Sequence, residues 1–135
     1  MKTKCLVALL AGLVATAGCV NTVTGAKTGG VPFIRDTVEG RYKLPPDVIF
    51  AAAKEVIKAD GVLTSFGTSL TSTNEAKVVQ GRVNERTVWV RIEPIDPQVT
   101  SVLVQTRTNG GGSDMDLAHQ IDKEIAVRVA SGSRR

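Results

Sequence analysis

The chain is poor in the side chains that do chemistry. Of its 135 residues only 4% are aromatic, with one Trp, one Tyr and three Phe, and there is a single histidine. A surface that reads nucleic acid combines a basic stripe with stacking aromatics. With 17 basic residues against 13 acidic ones and so few rings, the composition does not argue for that class and no nucleic-acid partner is expected. No Gly-x-Ser-x-Gly elbow surrounds any serine, which removes the usual setting of an activated hydroxyl nucleophile. Long apolar runs are missing too. The longest, Cys5 to Ala17, is 13 residues, and a helix crossing a bilayer core needs about 20.

Cysteine is also scarce: Cys5 and Cys19 are the only two. Their setting is the most informative stretch of the chain. Lys2 and Lys4 form a short basic start, the apolar run follows, and Thr16-Ala17-Gly18 leads into Cys19. This is the layout of a bacterial export signal, and the cysteine after it resembles a lipobox. That resemblance implies removal of residues 1–18 and a lipid on the Cys19 sulfur, with palmitate among the acyl groups. Thr16 departs from the pattern, in which Leu, Val or Ile is usual at that place. The other reading is an ordinary secretory signal with Cys19 a free thiol. Val20-Asn21 after the cysteine, rather than an aspartate, resembles the outer-membrane default. The expected location is therefore the cell envelope: lipid-anchored, facing the periplasm, at the outer membrane.

Loss of the signal changes the rest of the reading. Cys5 goes with it, so no disulfide and no thiolate metal ligand is expected. The formal charge drops from +4 to +2 with Lys2 and Lys4, and 117 residues remain, enough for one domain. Residues 19–36 are rich in Gly, Thr, Val and Asn and read as a flexible tether, with Val31-Pro32-Phe33-Ile34 as a run able to dock on the domain. Residues 37–130 carry the periodic pattern, and 131–135 read as a disordered tail.

Within 37–130, Val38, Gly40, Tyr42 and Leu44 alternate with Glu39, Arg41 and Lys43, which is strand spacing. Pro45-Pro46-Asp47 opens a helix that continues from Val48 to Asp60, with Ile49, Ala52, Ala53, Val56 and Ile57 on one face. Gly61 is expected to close it as a C-terminal cap. Strands follow at Val62–Leu70, Ala76–Val83, Thr87–Glu93 and Ser101–Arg107, with a hairpin turn at Asn84-Glu85-Arg86. Ser113 is expected to cap a last helix from Asp114 to about Ala130. Its buried stripe is Ala118, Ile121, Ile125 and Val129, and Glu124 and Arg128 are spaced for an ion pair. The order β-α-β-β-β-β-α indicates an α+β fold: a single, mostly antiparallel sheet of about five strands with both helices on one face.

Glu39-Gly40-Arg41-Tyr42, Ala59-Asp60-Gly61, Val88-Trp89-Val90-Arg91-Ile92-Glu93-Pro94 and the closing amphipathic helix, together with the start of the chain, resemble a family of small bacterial lipoproteins known only as a domain of unknown function. The resemblance spans roughly Val38 to Val129. Its motifs are packing and turn features, so it implies a fold and a location and brings no catalytic residues.

Candidate functional residues are few. Asp116, His119 and Asp122 lie at i, i+3 spacing on the last helix. They suggest either a solvated face or, in the alternative reading, an envelope enzyme or metal-dependent protein that uses this helix face. A usable metal site draws ligands from more than one element, so no metal, cofactor or catalytic residue is assigned and the chain reads as a non-enzyme. Gly110-Gly111-Gly112 precedes a helix, but no Lys-Ser or Lys-Thr follows, and Asp114 and Asp116 already place negative charge there. Gly25-Ala26-Lys27-Thr28 lacks the spacing of a phosphate loop. Strand alternation puts Arg41, Lys43, Arg82, Trp89, Arg91, Glu93 and Arg107 on the sheet face away from the helices, with Val88, Val90 and Ile92 inward. Trp89, Arg91, Arg41 and Arg107 are thus the partner-binding candidates, for an envelope protein or an anionic polymer. The equal alternative is that Trp89 packs on arginine stems or under the tether.

Overall fold

The computed structural model describes residues 35–70 and 75–132. The signal, Cys19, the tether through Ile34, the Gly25–Thr28 segment and the last three residues lie outside the described part. β1 (Thr37–Tyr42), α1 (Pro46–Asp60), β2 (Val62–Leu70), β3 (Glu75–Val83), β4 (Arg86–Pro94), β5 (Thr100–Arg107) and α2 (Met115–Gly132) follow one another. The five strands form one sheet in the order β1-β5-β4-β3-β2, and every pairing is antiparallel. This is the α+β arrangement that the alternation and the two amphipathic stretches imply. No described helix is long and apolar enough to cross a membrane.

Both helices pack on the same face of the sheet, α1 over β2, β3 and β4, α2 over β5 and β1. The expected stripe of α1, Ile49 to Ile57, is buried in full, and Leu117 joins Ala118, Ile121, Ile125 and Val129 on α2. They meet Val79, Val83, Val88, Val90, Ile92, Val102 and Val104 from the sheet. Burial of such aliphatic groups, each worth about 1.5–3 kcal/mol, holds together a domain in which no cysteine lies within the described residues.

Several local expectations are corrected. Gly61 caps α1 through its N–H to the Ile57 carbonyl, but in an extended conformation at φ −171°. Glycine is needed there for space: a Cβ would lie 2.0 Å from the Arg82 carbonyl oxygen. The hairpin turn is the two residues Asn84 and Glu85, at φ 49° and 63°, as a type I′ turn requires. Asp114, not Ser113, caps α2, accepting from the Leu117 N–H at 3.1 Å. The helix runs on through Ser131 and Gly132, where a disordered tail was expected. Arg128 reaches across to Glu55 of α1 at 3.1 Å, while Glu124 accepts from Gln120. The interhelical contact thus displaces the expected pair within α2.

Candidate functional site

The face of the sheet away from the helices is built by strand alternation. On β4, Val88, Val90 and Ile92 are fully buried beneath the helices, so Thr87, Trp89, Arg91 and Glu93 project to the other side. Antiparallel partners share a face. The register therefore sets Gln80 of β3 and Gln105 of β5 on either side of Trp89, with Thr37 of β1 beyond Gln105. The next row holds Val78, Arg91, Leu103 and Glu39. The single tryptophan thus occupies the middle of a row of amides and hydroxyls on the central strand, and it is half-buried.

All four binding candidates fall on this face. Trp89 and Arg91 are neighbours on β4, and Arg107 stands opposite Thr87. Arg41 is set apart on the edge strand β1, opposite Ser101. Lys43 is not among them, because β1 ends at Tyr42 and Lys43 lies in the exposed bend beyond it. Gln80 and Gln105 are the residues that sequence reasoning missed. A two-residue turn at Asn84-Glu85 already pairs Gln80 with Trp89, so that one was within reach; Gln105 depends on a pairing set elsewhere.

Most of the positive charge on this face is paired, with Arg82 the fourth arginine, exposed opposite Thr87. Arg41 pairs with Glu39 at 3.0 Å, Arg91 with Glu93 at 3.2 Å and Arg107 with Asp36 at 3.1 Å. The Arg41 guanidinium, aided by the Ser101 hydroxyl, holds the Glu39 carboxyl below its usual range. Gln105 is buried and its Nε2 donates to the Arg35 carbonyl at 2.7 Å. Arg35 and Asp36 are therefore fastened to β5 from this side.

The His119 face of α2 comes apart as a cluster. Asp122 Oδ1 accepts from the Tyr42 hydroxyl at 3.0 Å. Burial, and then the Asp122 charge, push the Tyr42 phenol above its ordinary range. His119 and Asp116 are exposed, and among the described residues no group of three His, Cys, Asp or Glu side chains is placed to hold a metal. At the start of α2 the Asp114 carboxylate caps the helix and pairs with Arg86, so its positive end already has an anion.

One titrating pair went unread in the sequence. Asp60, at the end of α1, meets Glu124 of α2. A proton held between the two carboxyls, then burial, then the Glu124 charge raise the Asp60 carboxyl above its usual value, with Arg128 acting in the opposite direction; among the described residues no donor reaches the buried Asp60 Oδ2. A raised folded-state pKa means that the folded chain holds this proton more tightly than the unfolded one. The contribution is fully present below about pH 4, the unfolded carboxylate value, and is lost as pH rises through the raised value. Asp60→Asn should therefore stabilise the domain at neutral pH by a few tenths of a kcal/mol, the scale of solvent-screened pairs. It should also flatten the dependence between mildly acid and neutral pH. Urea midpoints at the two pH values check this, and a lower neutral midpoint in the variant would contradict it.

A sequence model of a family described as protein of unknown function, DUF3568, matches residues 2–128. No curated protein and no solved structure matches the chain.

Proposed function

The chain belongs to the DUF3568 family of proteins of unknown function, and from that premise we propose that it is a lipid-anchored protein of the bacterial cell envelope, with a non-enzymatic domain that binds a partner. The anchor rests on the order of the first residues: Lys2 and Lys4, the apolar run to Ala17, then Gly18 and Cys19. The acyl chains on Cys19 hold the domain at a membrane face, on the periplasmic side of the outer membrane.

The observation that carries the binding role is Trp89 beside Gln80 on a sheet face that neither helix covers, with Gln105 buried next to them under Arg35. Tryptophan brings a large contact area at a small entropic cost, and it is enriched among the residues that dominate binding energy. The flanking ion pairs decide between partners. A polyanion would have to draw three of the four arginines on this face away from Glu39, Glu93 and Asp36. An envelope protein with its own mixed polar surface leaves those pairs in place, so a protein is the favoured partner.

Crosslinking in intact cells, with capture of the full chain and identification of what comes with it, tests the role. Trp89→Ala should weaken capture by about 30-fold, the equivalent of a 2 kcal/mol hot spot. His119→Ala should leave capture and growth unchanged. Undiminished capture by the Trp89 variant overturns the binding face. A His119 variant as impaired as a deletion overturns the non-enzymatic role.

A further inference from the structure

The described chain starts at Arg35, over the sheet face that carries Trp89. Thr37 opens β1 at the edge of the sheet, opposite Gln105 of β5. Two residues earlier, the Arg35 carbonyl accepts from Gln105 Nε2 at 2.7 Å and from Arg107 Nη2 at 3.4 Å. Both side chains stand on the open face of β5. Asp36 bends the chain between them at φ 55°, and Arg107 holds its carboxylate at 3.1 Å. From β1 toward the N-terminus, the chain therefore turns off the edge strand and inward over β5. Neighbouring strands lie about 4.8 Å apart, and an extended residue spans about 3.3–3.6 Å. Ile34 and Phe33 are thus long enough to reach β4, where Trp89 is the direct partner of Gln105.

That part of the face is apolar. The register sets Val78 and Leu103 diagonally to Trp89, within reach of an aromatic side chain. All three are half-buried, and Gln105 beside them is only 3% exposed, although neither helix covers this side. The outer face of an antiparallel sheet is normally polar, so three apolar side chains gathered there call for a cover. An uncharged cover leaves Arg41, Arg91 and Arg107 with their carboxylate partners. The run Val31-Pro32-Phe33-Ile34 ends next to Arg35, has no charge and holds the only aromatic ring between Cys19 and Arg35.

We infer that Pro32-Phe33-Ile34 lies as a strap across this face, with its apolar side chains against Trp89 and Leu103, and that a partner reaches Trp89 by displacing the strap. The displacement rests on the binding role proposed above for Trp89; the strap itself does not. Three observations select this segment over a second copy or another protein. The Arg35 clasp fixes its end on the face, the bend at Asp36 aims it inward, and its chemistry matches the apolar patch without disturbing the ion pairs. Held one or two residues from the clasp, the run also has the high effective concentration of a short intramolecular link. A strap seated about nine-tenths of the time weakens the apparent binding of a partner about tenfold.

Trp89 is the only tryptophan, so its fluorescence reports on the strap directly. In the full chain held in phospholipid vesicles, Phe33→Ser with Ile34→Ser should move the emission to longer wavelength and raise acrylamide quenching severalfold. Far-ultraviolet circular dichroism should not change, which separates an uncovered face from a lost fold. Val20→Ser with Val23→Ser, farther from the clasp, should leave quenching as in wild type. Phe33→Cys with Leu103→Cys should form a disulfide within one chain. In cells, the variant changed at 33 and 34 should capture up to about tenfold more partner. Unchanged quenching in that variant, an equal rise in the Val20 and Val23 variant, or a disulfide joining two chains overturns the strap. Raised quenching without raised capture overturns the displacement alone. Undiminished capture by Trp89→Ala overturns the binding role and leaves the quenching result standing.

Discussion

Gly81→Val should leave no cooperatively folded domain at growth temperature. Gly81 is buried on the helix side of β3, directly under α1 and next to β2. A Cβ built there falls 2.2 Å from Ile57 Cγ2 and 2.7 Å from the Val62 carbonyl oxygen. The first atom belongs to a fully buried side chain and the second to backbone, so neither can swing away. Overpacking of a filled core commonly costs about 1–3 kcal/mol per added group. For Gly81→Ala the upper end of that range applies, because helix and strand must both shift. In a domain of this size, 3 kcal/mol lowers the melting temperature by about 12–24 °C. Two further methyl groups in valine take the cost into the range of the whole stability, about 5–15 kcal/mol. Loss of the thermal transition by circular dichroism checks this; a Gly81→Val chain melting within a few degrees of wild type would contradict it. Combining Gly81→Ala with Ile57→Ala should cost less than the sum of the two single changes, since the second removes the atom that the first strikes. Rescue should be partial, because the Val62 carbonyl stays where it is.

The second large effect concerns location. Under the lipid-anchor proposal, Cys19→Ser should remove the acyl mass from the protein and take the protein out of the outer-membrane fraction almost completely. A single acyl chain binds bilayers only marginally, whereas two or more hold stably, so loss of the one attachment atom removes the anchor as a whole. Fractionation after osmotic shock, with mass spectrometry of the wild-type N-terminus, reads the outcome. A soluble wild-type chain, or an unmodified Cys19 within an uncleaved chain, would refute the anchor. Because the substitution lies outside the domain, the melting temperature should not change, which separates this result from the one at Gly81.

Much of the architecture is written locally. The stripe Ile49-Ala52-Ala53-Val56-Ile57 repeats with the helical period and is buried as a set. The short turn at Asn84-Glu85 fixes the whole β3–β4 register, including Gln80 against Trp89. Contacts made between distant segments are not written that way. Nothing in Thr37–Tyr42 says that it pairs with Thr100–Arg107, yet that pairing brings Glu39 to Ser101 and Asp36 to Arg107. Those contacts help pair most of the charge on an apparently basic face. Arg128 follows the same rule, since Glu55 of another helix outcompetes its own neighbour Glu124. The contact between Phe66 of β2 and Phe50 of α1 is legible only after folding. In the sequence Phe66 is one ring in a Ser/Thr-rich strand, and Phe50 lies outside the buried stripe of α1.

The fastening of Arg35 and Asp36 has a mechanical consequence. The Arg35 carbonyl accepts from Gln105 and Arg107, the Asp36 carboxylate pairs with Arg107, and Asp36 itself turns through φ 55°. A pull on the chain before Arg35 reaches this clasp ahead of the end of an edge strand. Once the clasp opens, the β1–β5 hydrogen bonds are loaded one after another, from Thr37–Gln105 toward Tyr42–Thr100, as in a zip rather than a lap joint. β1 is therefore the first strand that such a pull loads, ahead of the β2–β5 meander.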